Sequence, residues 1–199
     1  MAAANIIGVL LAAGAGSRFG GRKGEAMLAG KMVAEHAAKP LAAMNFSRSY
    51  AVCDPGHTAL CTGLEALGFT LIANHRPDLG LSHSLSLAAQ MALQVRADAL
   101  MICLADMPFV TRAHLDALAR TFGAGNHINC VTSIAGTVRM PPAIFPKSLF
   151  SELADLSGDS GARGFLRNAV AVAVDADMLA DIDTPDDLAD AELRIIRAD

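Results

Sequence analysis

Residues 6–23 read I-I-G-V-L-L-A-A-G-A-G-S-R-F-G-G-R-K, an apolar run of strand length that passes straight into a loop of small residues. In that loop Gly14, Gly16, Gly20 and Gly21 are interleaved with Ser17, Arg18, Arg22 and Lys23. The pattern predicts a buried strand feeding a cationic glycine loop. Glycines without Cβ let successive backbone N–H groups converge on an anion, and guanidinium and ammonium groups neutralise the charges of a polyphosphate. A triphosphate is the ligand that suits this chemistry. A dinucleotide fingerprint, G-x-G-x-x-G, would need a small residue where Phe19 stands and would run directly into a helix, whereas two more basic residues follow here. A Walker loop needs Gly-Lys followed by Ser or Thr, and Lys23 lies between Arg22 and Gly24. The plain alternative is an ordinary strand-to-helix turn whose glycines serve tight geometry alone.

Outward from this loop, strand and helix signals alternate. Strands are expected at 49–53, 69–73, 99–104, 129–134 and 170–174. Helices are expected at 31–44 (with Pro40 as a kink), 58–67, 85–95, 110–122 and 149–156, with a short one through Phe165 and Leu166 and a last one opening at Pro185. From Gly136 the chain reads as irregular, with Arg139, Pro141 and Pro142 before the apolar residues 143–145. With 199 residues, 53% of them hydrophobic, the chain suits one domain over 1–199 better than two thin ones. The expected class is α/β: a single three-layer domain with a mostly parallel central sheet of Rossmann-like type.

A net charge of -4, one Tyr and no Trp offer no basic or aromatic surface for nucleic acid. Cys53, Cys61, Cys103 and Cys130 are scattered without a metal-type pair, which fits a reducing cytoplasm. The apolar run 6–13 lacks a preceding basic residue and falls far below a membrane span, so a soluble protein is expected.

Three further places carry chemistry. The run 99–104 delivers Asp106 just beyond its end, and ligands in open α/β sheets gather outside the carboxyl ends of strands, where the Gly14 loop also lies. Capping of the helix near Thr111 is the competing role for Asp106. Asp181 and Asp183, at period two in an extended segment, share one side and precede Thr184-Pro185, while Asp186 and Asp187 suit the helix dipole. Gly158 to Arg163 reads G-D-S-G-A-R. Asp159 and Ser160 could cap the next helix, and Arg163 on its first turn could bind a phosphate of a substrate. The six histidines show no zinc spacing.

The loop L-A-A-G-A-G-S-R-F-G-G-R-K resembles the signature of the nucleotidyltransferases that activate small phosphorylated molecules, in particular the molybdenum cofactor cytidylyltransferase group. L-A-D-M-P (104–108), G-D-S-G-A-R (158–163) and D-I-D-T-P-D-D-L (181–188) extend the resemblance over nearly the whole chain. The guanylyltransferase relatives typically carry L-A-G-G, and this chain has Leu11-Ala12-Ala13-Gly14, which favours the cytidylyl branch. Residues 74–85 match a family pattern N-P-x-x-x-x-G-M-S-x-S-L at Asn74, Gly80, Ser82, Ser84 and Leu85; Ser82 or Ser84 could equally cap the following helix. The family's G-x-x-G-x-P-x-x-F is poorly kept, with Arg139 near the place of one glycine.

The resemblance implies a nucleotide-diphospho-sugar transferase fold and transfer of CMP from CTP to molybdopterin with release of pyrophosphate. It also implies transient contact with a molybdoenzyme or its chaperone. Nucleotide binding would fall to Leu11, Ala12, Ala13, Gly14, Gly16, Ser17, Arg18, Lys23, Asn74, Gly80, Ser82 and Ser84, and acceptor binding to Asp159 and Arg163. Arg18, Lys23 and Asp106 would be catalytic. Mg²⁺ would screen two anions brought together at the α-phosphorus, held by Asp106 with Asp181 as the second ligand and Asp183 as its supporting neighbour. A sugar phosphate or other small phosphate as acceptor, a non-catalytic nucleotide-binding protein and a dehydrogenase are the rival readings.

Overall fold

The computed structural model describes residues 4–14, 16, 19–158 and 162–198. Its centre is β1 (Ile6–Leu11), flanked by β4 (Ser49–Cys53) and β6 (Ala99–Leu104), both parallel to it. Outside β4 runs β5 (Thr70–Ala73), again parallel. Beyond β6 lie β8 (Val138–Pro146), antiparallel to both its neighbours, then β7 (Val131–Ala135) and β9 (Val170–Ala173), giving the order β5-β4-β1-β6-β8-β7-β9. The sheet is thus mostly parallel, with one reversed strand.

Side-chain alternation along the central strands separates two cores. Leu10, Ala51, Met101 and Cys103 face α1 (Val33–Ala42), α2 (Thr58–Ala66) and α4 (Arg112–Ala124). Val9, Leu11, Val52, Leu100 and Ile102 face α3 (Gly80–Gln94), α5 (Phe150–Ala154) and α6 (Arg163–Leu166). With both faces covered, the strands read as near-continuous apolar runs. A smaller third cluster, Leu28, Val33, Ile182 and Ala191, packs α7 (Pro185–Ala198) on a hairpin of β2 (Met27–Leu28) and β3 (Lys31–Met32). Strand order reverses direction at β1: chain segments step to β4 and β5 on one side, then return to β6 on the other. The crevice beyond the carboxyl ends of β1 and β6 is the place where such sheets bind ligands.

Several elements differ from the sequence expectation. Residues 31 and 32 belong to the hairpin, so α1 starts at Val33 and runs through Pro40 into its last turn. Helix α3 starts at Gly80, five residues before Leu85, because a 3₁₀ turn at Pro77–Leu79 leads directly into it. The stretch after Gly136 is a nine-residue strand. Pro141 and Pro142 are tolerated because they fall in a register shift: Thr132 pairs with Ala143 and Ser133 with Met140, leaving the two prolines outside the ladder that would need their N–H groups. The Thr132 and Ser133 hydroxyls instead donate to the carbonyls of Met140 (2.9 Å) and Pro142 (2.8 Å). No helix among the described residues is long and apolar enough to cross a membrane.

Candidate active site

The glycine loop leaves β1 and folds on its own backbone. Gly16 has φ +57°, and a Cβ there would stand 2.2 Å from the Gly21 carbonyl, so only glycine fits. The turn is closed by Phe19 N–H to Gly16 O (3.0 Å) and Lys23 N–H to Gly21 O (2.8 Å), and a 3₁₀ turn follows at Lys23–Glu25, from which the Lys23 side chain reaches the carboxyl end of β6. There Lys23 Nζ donates to Asp106 Oδ2 and to Asp183 Oδ1, at 2.6 Å each. Two backbone bonds bring these carboxylates together. Ala105 N–H donates to Leu11 O (3.0 Å), pinning the end of β6 to β1, and Ile182 N–H donates to Asp106 O (2.9 Å), pinning the 181–183 segment to the same point.

Burial works against the Lys23 charge, but the charges of Asp106 and Asp183 and their hydrogen bonds outweigh it and hold its pKa above the ordinary lysine value. One oxygen is left over: Asp106 Oδ1 is buried with no hydrogen-bond partner. A buried carboxylate oxygen in that condition is costly unless a cation or donor meets it. The fit to a hard divalent cation is therefore chemical, since the oxygens gathered around the Lys23 ammonium are carboxylate oxygens, one of them unanswered.

Beside the cluster opens a cleft of about 380 Å³. One wall is Leu11, Ala12, Ala13 and Gly14; the floor holds Lys23 and Asp106; the other wall is Pro77, Asp78, Gly80, Leu81 and Ser84. Eight residues named from the sequence thus share one cavity: Leu11, Ala12, Ala13, Gly14, Lys23, Gly80, Ser84 and Asp106. Others stand behind the wall. Asn74 is fully buried, its amide donating to Ser84 Oγ (3.1 Å) and accepting from Arg76 N–H (2.8 Å). Ser82 is buried too and donates to the Gly158 carbonyl. Neither serine caps α3, because both lie inside the helix.

Asp181 and Asp183 part company. Asp183 joins Lys23, whereas Asp181 lines a smaller cleft of about 240 Å³ with Phe109, Asp177 and Asp190. Burial, then the neighbouring charge of Asp183, pushes the Asp181 carboxyl above its ordinary range. Among the described residues no group of three His, Cys, Asp or Glu side chains is placed to hold a metal ion. Arg163 is exposed at the start of α6 and is not part of the cleft lining. Ser17, Arg18 and Asp159 lie outside the described residues. The sequence reading missed Pro77, Asp78 and Leu81. The only signal for them was a turn-rich run, with Pro77 placed to open a 3₁₀ turn, and nothing local says that the turn faces the glycine loop.

Three comparisons bear on this geometry. A sequence profile of the MobA-like NTP transferase domain matches residues 8–174. The purine catabolism protein PucB of Bacillus subtilis (strain 168) is 29% identical over 203 residues, covering 92% of this chain and 93% of PucB. Among solved structures, Rv0371c of Mycobacterium tuberculosis H37Rv in complex with manganese superposes with a TM-score of 0.75 at 23% identity, over 95% of this chain and 98% of that one. Molybdopterin-guanine dinucleotide biosynthesis protein A of Archaeoglobus fulgidus does so at 0.69 and 20%, over 96% and 99%. A glycine loop after the first strand, an aspartate after the central strand beside it, and a matched profile over most of the chain agree: this protein belongs to the nucleotidyltransferases of the MobA-like NTP transferase domain family.

Proposed function

We propose that the protein transfers the CMP moiety of CTP to the phosphate of molybdopterin. A phosphate oxygen of the acceptor attacks the α-phosphorus, the bond from that phosphorus to the bridging oxygen breaks, and pyrophosphate leaves. The observation that carries this reading is the Lys23–Asp106–Asp183 cluster at the floor of a cleft walled by the glycine loop. Its carboxylates, Asp106 and Asp183, would hold a divalent ion, Mg²⁺ in this proposal, which supplies positive charge where two anions meet. The residues of the chain supply the rest. Backbone N–H groups of the loop bind phosphate oxygens, Lys23 and Arg18 neutralise the triphosphate and the departing pyrophosphate, and Ser84, held by Asn74, offers a hydroxyl on the opposite wall. No general acid or base is required.

CTP is preferred over GTP in this reading because Ala13 stands where the guanylyl branch has glycine. Molybdopterin as acceptor is supported by the resemblance of the loop and by the fold likeness to the Archaeoglobus protein. Transfer to another small phosphorylated acceptor is the second reading, favoured by PucB, which is named for purine catabolism. Separating them takes the four NTPs against molybdopterin and several sugar phosphates, with pyrophosphate as the readout. CTP with molybdopterin should give the highest kcat/KM. A preference for GTP, or release that depends on a sugar phosphate, would overturn the assignment.

A further inference from the structure

The two oxygens that Lys23 engages, Asp106 Oδ2 and Asp183 Oδ1, belong to the carboxylates assigned to the metal. A divalent ion needs such oxygens at close range and is repelled by an ammonium group bonded to them, so the two cations compete for one pair of carboxylates. Lys23 cannot simply withdraw into water. Its side chain is only 12% exposed, and an ammonium group leaving two carboxylates in a partly buried place needs another anionic partner. The cleft provides room for one: Lys23 lines it together with Gly14, and a four-carbon stem with three rotatable donors can change partners without moving the backbone. Asp106 Oδ1, buried and unpartnered, marks a carboxylate that the lysine leaves incompletely satisfied.

We propose that Lys23 is a resident counter-cation: it keeps free metal off Asp106 and Asp183 and releases them when a triphosphate takes up its ammonium group, so that metal and nucleotide bind as a pair. The idea rests on the nucleotidyltransferase reading of the cleft. By linkage, whatever factor the nucleotide contributes to metal affinity through Lys23, the metal contributes to nucleotide affinity. The lysine then acts in two arrangements of one side chain, on the carboxylates or on the phosphates.

The test begins with Mn²⁺ alone, titrated into the full-length protein without nucleotide and followed by the loss of the free-ion electron paramagnetic resonance signal. Lys23→Met, with Lys23→Gln as a second variant, should bind Mn²⁺ roughly tenfold or more tighter than the parent protein, within the range usual for coupled sites. Arg22→Met, which removes a charge three residues from its partner Glu25, should stay within about twofold. Equal affinity in the Lys23 variants, or an equal gain in Arg22→Met, would show a general charge effect and overturn the proposal.

A second readout is binding of a non-hydrolysable CTP analogue in chelator. Lys23→Met should cost at least about fivefold more affinity in an Asp183→Asn background, where the lysine is less engaged, than in the parent, and additive costs would also overturn it. Binding of no nucleotide by the parent protein would defeat the functional reading instead, while the Mn²⁺ comparison would still judge Lys23.

Discussion

In the proposed reaction Asp106 is the central residue: it holds Lys23 with one oxygen and keeps the other buried without a partner. Asp106→Asn keeps the side-chain volume and removes the charge. Turnover should fall by at least about a hundredfold while the circular dichroism spectrum is unchanged, and a variant that keeps most of its activity at saturating Mg²⁺ would exclude the assignment. Asp183 and Asp181 can be ordered in the same way. Since Asp183 bonds Lys23 beside Asp106, Asp183→Asn should raise the Mg²⁺ needed for half-maximal rate by at least about tenfold, the loss seen even for groups that merely support a ligand. Asp181→Asn should move it less; a larger shift for Asp181→Asn would return that residue to the first place expected from sequence.

His114 belongs to this scale too. Its Nε2 lies 2.7 Å from Ser133 Oγ, whose own hydrogen goes to the Pro142 carbonyl, so Nε2 carries the proton of a neutral ring. Burial lowers its pKa below the ordinary 6.5. Below that value the unfolded chain takes up a proton that the native state refuses, so stability should be full above about pH 6.5 and fall with decreasing pH until the native ring itself titrates. Urea unfolding between pH 7.5 and 5 would show the slope, and it should flatten in His114→Asn.

Among the elements, α7 joins the fold to the site. Thr184 Oγ1 accepts from Asp187 N–H (3.2 Å), while Asp187 Oδ2 accepts from the backbone N–H groups of Asp183 (3.0 Å) and Thr184 (2.7 Å), with Pro185 at the first helical position. This reciprocal cap orients the turn that carries Asp183, and it holds the Asp187 carboxyl below its ordinary range, first through the Thr184 hydroxyl, which donates to Asp187 Oδ2 (2.8 Å), and then through the two backbone donors. Thr184→Ala should cost about 1 kcal/mol, a fall in Tm of roughly 2–4 °C for a chain of this size, and calorimetry would read it. Helix α3 does comparable work on the other wall. Its buried Ser82 donates to the Gly158 carbonyl, at the start of the segment read from sequence as acceptor-binding, and its buried Ser86 donates to the Ala154 carbonyl at the end of α5.

For the molecule as a whole, the two large cores lie on either face of the sheet and are built of apolar side chains. Chelation should therefore abolish transfer without altering the circular dichroism spectrum, and Mg²⁺ should restore it. CTP and Mg²⁺ together at about a hundred times Kd should raise Tm by roughly 5–10 °C, as expected for about 2.7 kcal/mol of binding linked to folding. Either one alone should raise it much less if Lys23 couples them. A full shift from Mg²⁺ alone would contradict that coupling.

Much of this architecture was legible in the chain because it rests on local rules. The strand 49–53, the strand 99–104 with its aspartate, the glycine loop and the Thr184-Pro185 helix start depend on periodicity, propensity and hydrogen bonds a few residues apart. The sequence therefore determined the α/β class and the end of the sheet where the cleft opens. It could not determine partners. Lys23 meets carboxylates 83 and 160 residues away, and which aspartate of a period-two pair reaches it depends on how the 181–183 segment docks through the Ile182–Asp106 bond. Likewise Asn74 and Ser82 carry the pattern of ligand contacts but stand inside the wall, and residues 138–146 form a strand despite Pro141 and Pro142 because a register shift against a distant partner leaves those two positions unpaired. Burial, register and ion pairing are sums over contacts between segments far apart in the chain, and only the tertiary structure fixes which of them are made.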